Sequence, residues 1–222
     1  MNQYVEYSSF YDDLWSSRRI DLDFIESYLS SDIQNVIELG VGSGRTLSLF
    51  HKKGIEKYLG LDISAEMLEL SRLKNPNPKF VLLEKDVRKY EFQERFDLVL
   101  LSWSLLNYLN LQEVEDLISS VSKIFNKKII IDVSYAFRKP EGGKNVAVII
   151  NKRKTVFFDV ELNESNKTYK NIFHINGKDL SINKYYHDHK DLLVIFNKNE
   201  LKIKDIRIYK KNLSIFVRKR LK

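Results

Sequence analysis

Three glycines at alternate positions, Gly40, Gly42 and Gly44, follow directly on the run Val36-Ile37-Glu38-Leu39. A glycine after a strand permits a tight turn, and a second removes the Cβ that would collide with a ligand lying across the backbone. A third lets the next helix pack close to the sheet. The spacing is G-x-G-x-G, and Arg45 stands where the dinucleotide fingerprint G-x-G-x-x-G would place its last glycine. A pyrophosphate is therefore a poor match, and the G-x(4)-G-K-[ST] phosphate loop is absent. Asp62 closes the next apolar run, where an acidic side chain can accept both hydroxyls of a ribose. Asp86 closes the one after, where a carboxylate can take a hydrogen bond from an exocyclic amine such as that of adenine. Glu38, Asp62 and Asp86 would then share the carboxyl edge of one sheet, the edge at which open α/β sheets bind ligands. Three acids there suit a ligand that carries positive charge.

The elements that must position these groups alternate. Strands are expected at "NVIEL", "KYLGLD", "KFVLLEKD", "RFDLVLLSW" and "KKIIIDVS". Helices are expected at about Gly44 to Lys53, at "SAEMLELSRL" with Ser64 as N-cap, and at "LQEVEDLISSVSKIF". Tyr4, Tyr7, Tyr11 and Leu14 recur at helical spacing, and a second short helix is expected from Leu22 to Leu29. The nearly all-apolar fourth strand suits a parallel strand buried on both faces, and the strand–helix order argues for a parallel sheet covered by helices. After "RKPEGGK" four short β-rich runs between Gly142 and His187 read as an antiparallel meander. "KDLLVIFNKN" reads as one more helix, and "LKIKDIRIYK" with "LSIFVRKR" as a closing hairpin.

"VIELGVGSG", "LGLDISAEMLELSR", "LLEKDV" and "FDLVLLSWSLLNYL" resemble, in order and spacing, the four successive motifs of the class I S-adenosylmethionine-dependent methyltransferases. The resemblance covers about Val36 to Ser134. The tyrosine-rich "YSSFYDDLW" and the β-rich insertion resemble in layout the small-molecule branch, which includes glycine and amino-sugar N-methyltransferases. The resemblance implies an α/β fold: a Rossmann-like, seven-stranded, mostly parallel sheet flanked by helices, with a small antiparallel β insertion after strand 5. Residues 1–141 and 188–222 would form the core that binds S-adenosyl-L-methionine, and 142–187 a substrate lid. It further implies that Gly40, Gly42 and Gly44 pass under the methionine part of the cofactor, and that Glu38 holds the loop or meets the cofactor's amino group. Asp62 would take the ribose hydroxyls, with Ile63 and Met67 flanking the adenine. Asp86 would bind the adenine amine beside Val87. Ser102 and Trp103 would border the transferred methyl. Tyr11 and either Arg18 or Arg19 would close over the cofactor, the Arg by pairing with its carboxylate. Tyr11 and His187 are the candidate catalytic residues, His187 as a general base or substrate contact. Two departures stand out: "FNKK" replaces the usual Pro-Gly-Gly turn before strand 5, and "SWSL" replaces the [DN]-P-P-[YFW] signature of enzymes that methylate exocyclic base amines.

Composition narrows the acceptor. The chain has no cysteine, which excludes a disulfide framework, a Cys-based zinc site and the thiol route to C5 methylation of pyrimidines. His187 and His189 in "YYHDH" have no further His or Cys cluster to complete a metal site, so none is expected. No apolar run approaches the ~20 residues that span a bilayer, and the first residues lack a signal-peptide core, so no membrane partner and a cytoplasmic location are expected. Met1–Phe137 carries 16 Lys and Arg against 21 Asp and Glu, whereas Arg138–Lys222 carries 21 against 9. Such asymmetry can mark a polyanion-binding face, which makes RNA a second candidate partner, or it can follow from a Lys-, Asn- and Ile-rich composition. Transfer to a neutral amine needs no strong base, whereas a hydroxyl acceptor would need a base or a metal. A small-molecule amine is therefore the expected acceptor, with a protein, a non-catalytic cofactor-binding role and a nicotinamide-dependent oxidoreductase as alternatives. An edge strand of the insertion could pair two copies as a homodimer.

Overall fold

The computed structural model describes Ser8, Phe10 and residues 20–102, 104–132, 139–150, 154–175, 178–209 and 212–219. Helix α1 (Ile20–Ser27) leads into strand β1 (Asn35–Leu39). Then α2 (Leu47–Lys52), β2 (Lys57–Asp62), α3 (Ala65–Lys74), β3 (Phe80–Glu84) and β4 (Phe96–Leu101) follow. A short 3-10 turn (Leu105–Tyr108), α4 (Leu111–Ile124) and β5 (Phe125–Asp132) complete the first part. Strands β6 (Gly143–Ile150), β7 (Lys154–Asn163), β8 (Thr168–Ile175) and β9 (Lys178–Tyr185) precede α5 (His189–Lys198), β10 (Leu201–Tyr209) and β11 (Asn212–Lys219).

Seven strands form one sheet in the order β10-β11-β5-β4-β1-β2-β3, and the other four form a meander β6-β7-β8-β9. Strands β1 to β5 are parallel, and β11 runs antiparallel between β5 and β10. The reversal of strand order at β1 and β4 leaves a crevice at their carboxyl ends, because the connections leave in opposite directions.

Successive residues of a strand point to opposite faces, and here both faces are buried. Ile37, Leu39, Val99, Leu101, Ile129 and Ile131 pack beneath α4 and α5, where Val114, Ile118, Val121, Leu192 and Phe196 meet them. Val36, Tyr58, Leu98, Leu100 and Ile130 face the other way, against Phe24, Leu47, Phe50 and Leu68. The helices are anchored by local chemistry. Ser64 Oγ accepts the Met67 N–H at 3.2 Å as the N-cap of α3. Asn110 and Glu113 form a reciprocal capping box at the start of α4.

Helix α2 begins at Leu47, three residues later than its apolar pattern suggests, because Gly44 has φ +76°, outside the right-handed helical region. Strand β5 begins at Phe125 directly after α4, so "FNKK" is the first half of a strand and not a turn. Among the described residues, no helix is long and apolar enough to cross a membrane.

Candidate active site

Glu38 lies on the central strand and is 1% exposed. Its carboxylate accepts hydrogen bonds from the hydroxyls of Thr46 and Ser102 and, at 2.7 Å, from that of Tyr58. The Tyr58 ring reaches it across Gly60, where a Cβ would stand 3.0 Å from Tyr58 Cε1 and 2.7 Å from Leu82 Cδ2. Burial pushes the Glu38 carboxyl up to about 7, against the pull of the three hydroxyl donors. Glu38 thereby joins the glycine loop, β2 and the end of β4. It does not line the cavity described below, so of its two expected roles the geometry fits loop-holding and not contact with a ligand's amino group.

A cavity of about 240 Å³ opens at the carboxyl edge of the sheet. Gly40, Gly42, Asp62, Ile63, Met67, Asp86, Val87 and Ser102, all singled out from the sequence, line it. Gly42 has φ +53° with open space where a Cβ would lie, and its N–H donates to Asp62 Oδ2 at 2.7 Å. The Ser64 N–H donates to Asp62 Oδ1 at 3.0 Å. Asp62 therefore braces the loop from below. Burial raises its carboxyl above the ordinary value while these N–H donors pull it back. Gly44, expected under the ligand, instead faces α3: a Cβ there would stand 2.4 Å from Ser71 Oγ and 2.9 Å from Leu47 Cδ1. It is the packing glycine, and Gly40 and Gly42 are the loop glycines that line the cavity.

Asp86 lines the cavity with its carboxylate already engaged. Arg88 grips it through Nε at 2.8 Å and a terminal nitrogen at 2.6 Å, and donates its own backbone N–H at 3.0 Å. The same guanidinium reaches Glu113 Oε1 at 3.1 Å. Arg88 holds the Asp86 carboxyl below its usual range. An adenine amine at Asp86 would have to share it with Arg88, which the sequence reading did not include.

Lys85, Arg88, Leu105, Tyr108 and Leu109 complete the cavity wall. Sequence reasoning missed them, although Leu105 to Leu109 lie in "SWSLLNYL", directly after a strand that ends at the site. Buried Ser104, with φ 61°, turns the chain so that the 3-10 turn presents Leu105 and Tyr108 inward. Asn107 Nδ2 donates to the Tyr185 carbonyl at 2.8 Å, tying the last strand of the meander to this turn.

His187 is a correction. Strand β9 ends at Tyr185, so His187 and His189 do not share a strand face. His187 is 3% exposed, lies outside the cavity wall and has Nε2 3.0 Å from the Leu106 carbonyl. It clasps the meander to the 3-10 turn, and burial holds its pKa below the ordinary value. Tyr11, Arg18, Arg19 and Trp103 lie outside the described residues.

Residues 36–128 match the family model described as a methyltransferase domain, a span that holds every residue of the cavity wall. Over that span the chain is similar to a methyltransferase domain. Among curated proteins, none matches the chain. Its fold is that of S-adenosylmethionine-dependent methyltransferases. One such enzyme from Clostridium acetobutylicum superposes with a TM-score of 0.73 at 14% identity over 98% of this chain and 99% of that one. An amino pentose methyltransferase from Micromonospora echinaspora, solved with S-adenosylmethionine bound, gives 0.72 at 14% identity over 98% and 97%. A sugar N-methyltransferase from a Streptoalloteichus species gives 0.72 at 11% identity over 96% and 93%.

Proposed function

We propose that this methyltransferase uses S-adenosyl-L-methionine and acts on a small-molecule acceptor, an amine in preference to a hydroxyl. The observation that carries the reading is Asp62, which presents its carboxylate in a cavity beneath the open face of Gly42, within the matched methyltransferase segment. The residues present fit the cofactor. Asp62 would hold the ribose hydroxyls, Ile63, Met67 and Val87 would enclose the adenine, and Asp86 would share its amine with Arg88. Gly40, Gly42 and Ser102 would line the methionine end. The bound cofactor supplies an electrophilic methyl on a sulfonium sulfur, transferred by in-line displacement. The chain's own contribution is to hold the nucleophile in line and to exclude water, a positioning effect. The meander, clasped to the 3-10 turn through Asn107 and His187, would cover the acceptor side.

Calorimetric titration with S-adenosylhomocysteine tests the cofactor. Transfer of labelled methyl to a panel of small amines, beside total RNA, tests the acceptor class. The excess of Lys and Arg in Arg138–Lys222 supports RNA as the second reading, and that reading predicts methylation of RNA that falls steeply with salt.

A further inference from the structure

Lys184 stands apart from every other lysine described. It lies on β9 opposite Tyr169 of β8, on the face that carries the buried Leu180 and Ile182. The same face continues through Tyr169 and Phe173, which are also buried. Lys184 is the one charged residue among the described side chains of that face. Its Nζ sits 5.2 Å from the centroid of the Tyr108 ring, and Tyr108 lines the cofactor-side cavity. Lys184 also lines a second cavity, of about 410 Å³, together with Tyr169, Thr168 and Asn163. Lys170 at this cavity is paired with Glu161 at 3.4 Å, so its charge is balanced. Lys184 makes no hydrogen bond or ion pair among the described residues.

Burial alone holds the Lys184 amine down to about 8, with no carboxylate pulling it back. A cation–π contact replaces only part of the hydration that an ammonium loses on burial. Among the described residues no side chain supplies the counter-charge. We propose that the second cavity is the acceptor subsite, and that Lys184 pairs there with an anionic group, carboxylate or phosphate, on the small acceptor. The Tyr108 ring links the two cavities: it walls the first and carries the Lys184 ammonium over its face. The inference rests on the methyltransferase reading above and narrows the acceptor to an amine that also bears an acidic group.

The test is a titration of protein labelled with ¹³C and ¹⁵N at lysine, followed by NMR at Cε and Nζ, with the Lys184 signal identified by its loss in Lys184→Met. Without anion the signal should titrate near pH 8. Saturating phosphate or succinate should raise that midpoint by about one unit or more, towards the ordinary lysine value, where matched sodium chloride does not. The phosphate and succinate arms separate the two kinds of acid. A midpoint that neither anion moves beyond the chloride control overturns the proposal. S-adenosylhomocysteine is titrated in parallel into wild type and Lys184→Met. Equal affinity in both is expected, and loss in the variant would assign Lys184 to the cofactor site and overturn the subsite. Absence of S-adenosylhomocysteine binding in both would count against the cofactor reading instead, so the two failures are distinguishable.

Discussion

Replacing Glu38 by Gln should remove a pH-dependent loss of stability whose size follows from its burial. In the unfolded chain the carboxyl ionises near its ordinary value of 4.5, and in the fold it keeps its proton to about 7. Between these values the folded state binds more protons than the unfolded one, so stability falls as pH rises. Below the window both states are protonated, and above it both are ionised, so the full loss is present above about pH 7. At ~1.36 kcal/mol per pKa unit, the interval corresponds to about 3 kcal/mol. For a domain of this size that is roughly 6–12 °C in melting temperature. Gln has nearly the same shape, can accept from Ser102 or Thr46 at its oxygen and carries no charge. The stability of Glu38→Gln relative to wild type should therefore improve by about 3 kcal/mol between pH 4.5 and pH 8. Urea unfolding of both proteins at each pH measures it, and other titrating groups cancel in the difference. A difference that stays constant within about 0.5 kcal/mol across that range would refute the raised carboxyl.

The loop glycines should separate stability from binding. Gly44→Ala forces a Cβ against Ser71 and Leu47 at a left-handed φ and should cost about 2–3 kcal/mol in thermal unfolding. Gly42→Ala meets no atom, so it should cost only about 1 kcal/mol of stability, but it should weaken S-adenosylhomocysteine binding more than tenfold by filling the cavity side of the loop. His187→Asn should leave that affinity unchanged while lowering stability by about 1–2 kcal/mol through the weakened clasp on Leu106. Because burial depresses the His187 pKa, wild-type stability should fall as pH drops below the ordinary histidine value of 6.5, and the Asn variant should lack that part of the acid sensitivity in denaturant titrations.

Much of this architecture was legible before any coordinates because its signals are local. "NVIEL" and "KYLGLD" coincide with β1 and β2, and Ser64 was identifiable as an N-cap from its place before an amphipathic run. The four β-rich runs and the closing hairpin were also visible, since turn residues separate them. Asp62 was readable from its place at a strand end, and Ile63, Met67 and Ser102 from the family resemblance; all four line the cavity. What was not legible depends on distant partners. Glu38 is engaged by Tyr58 and Ser102, 20 and 64 residues further on, and the pattern around Glu38 does not announce either. Gly44 belongs to the right motif, but its side of the loop is decided by where α3 packs. Asp86 was read as a free acceptor because the grip of Arg88 depends on a turn whose shape its spacing does not reveal. His187 looked reactive in "YYHDH", yet burial and one carbonyl make it a fastener.

The central claim is that the carboxylate of Asp62 and the open loop above it hold the nucleoside part of S-adenosylmethionine. The most direct measurement is calorimetric titration of S-adenosylhomocysteine into wild type and Asp62→Asn, with NADH as the competing dinucleotide and circular dichroism to establish that the variant is folded. The isosteric amide keeps one acceptor but turns an N–H₂ towards either the Gly42 or the Ser64 N–H, and it removes the charge from the ribose contact. Saturable binding of S-adenosylhomocysteine to wild type, none of NADH, and a loss of about tenfold to a hundredfold in the variant are expected, the worth of one or two charge-assisted hydrogen bonds. Equal affinity in the folded variant, or binding of NADH in place of S-adenosylhomocysteine, would contradict it.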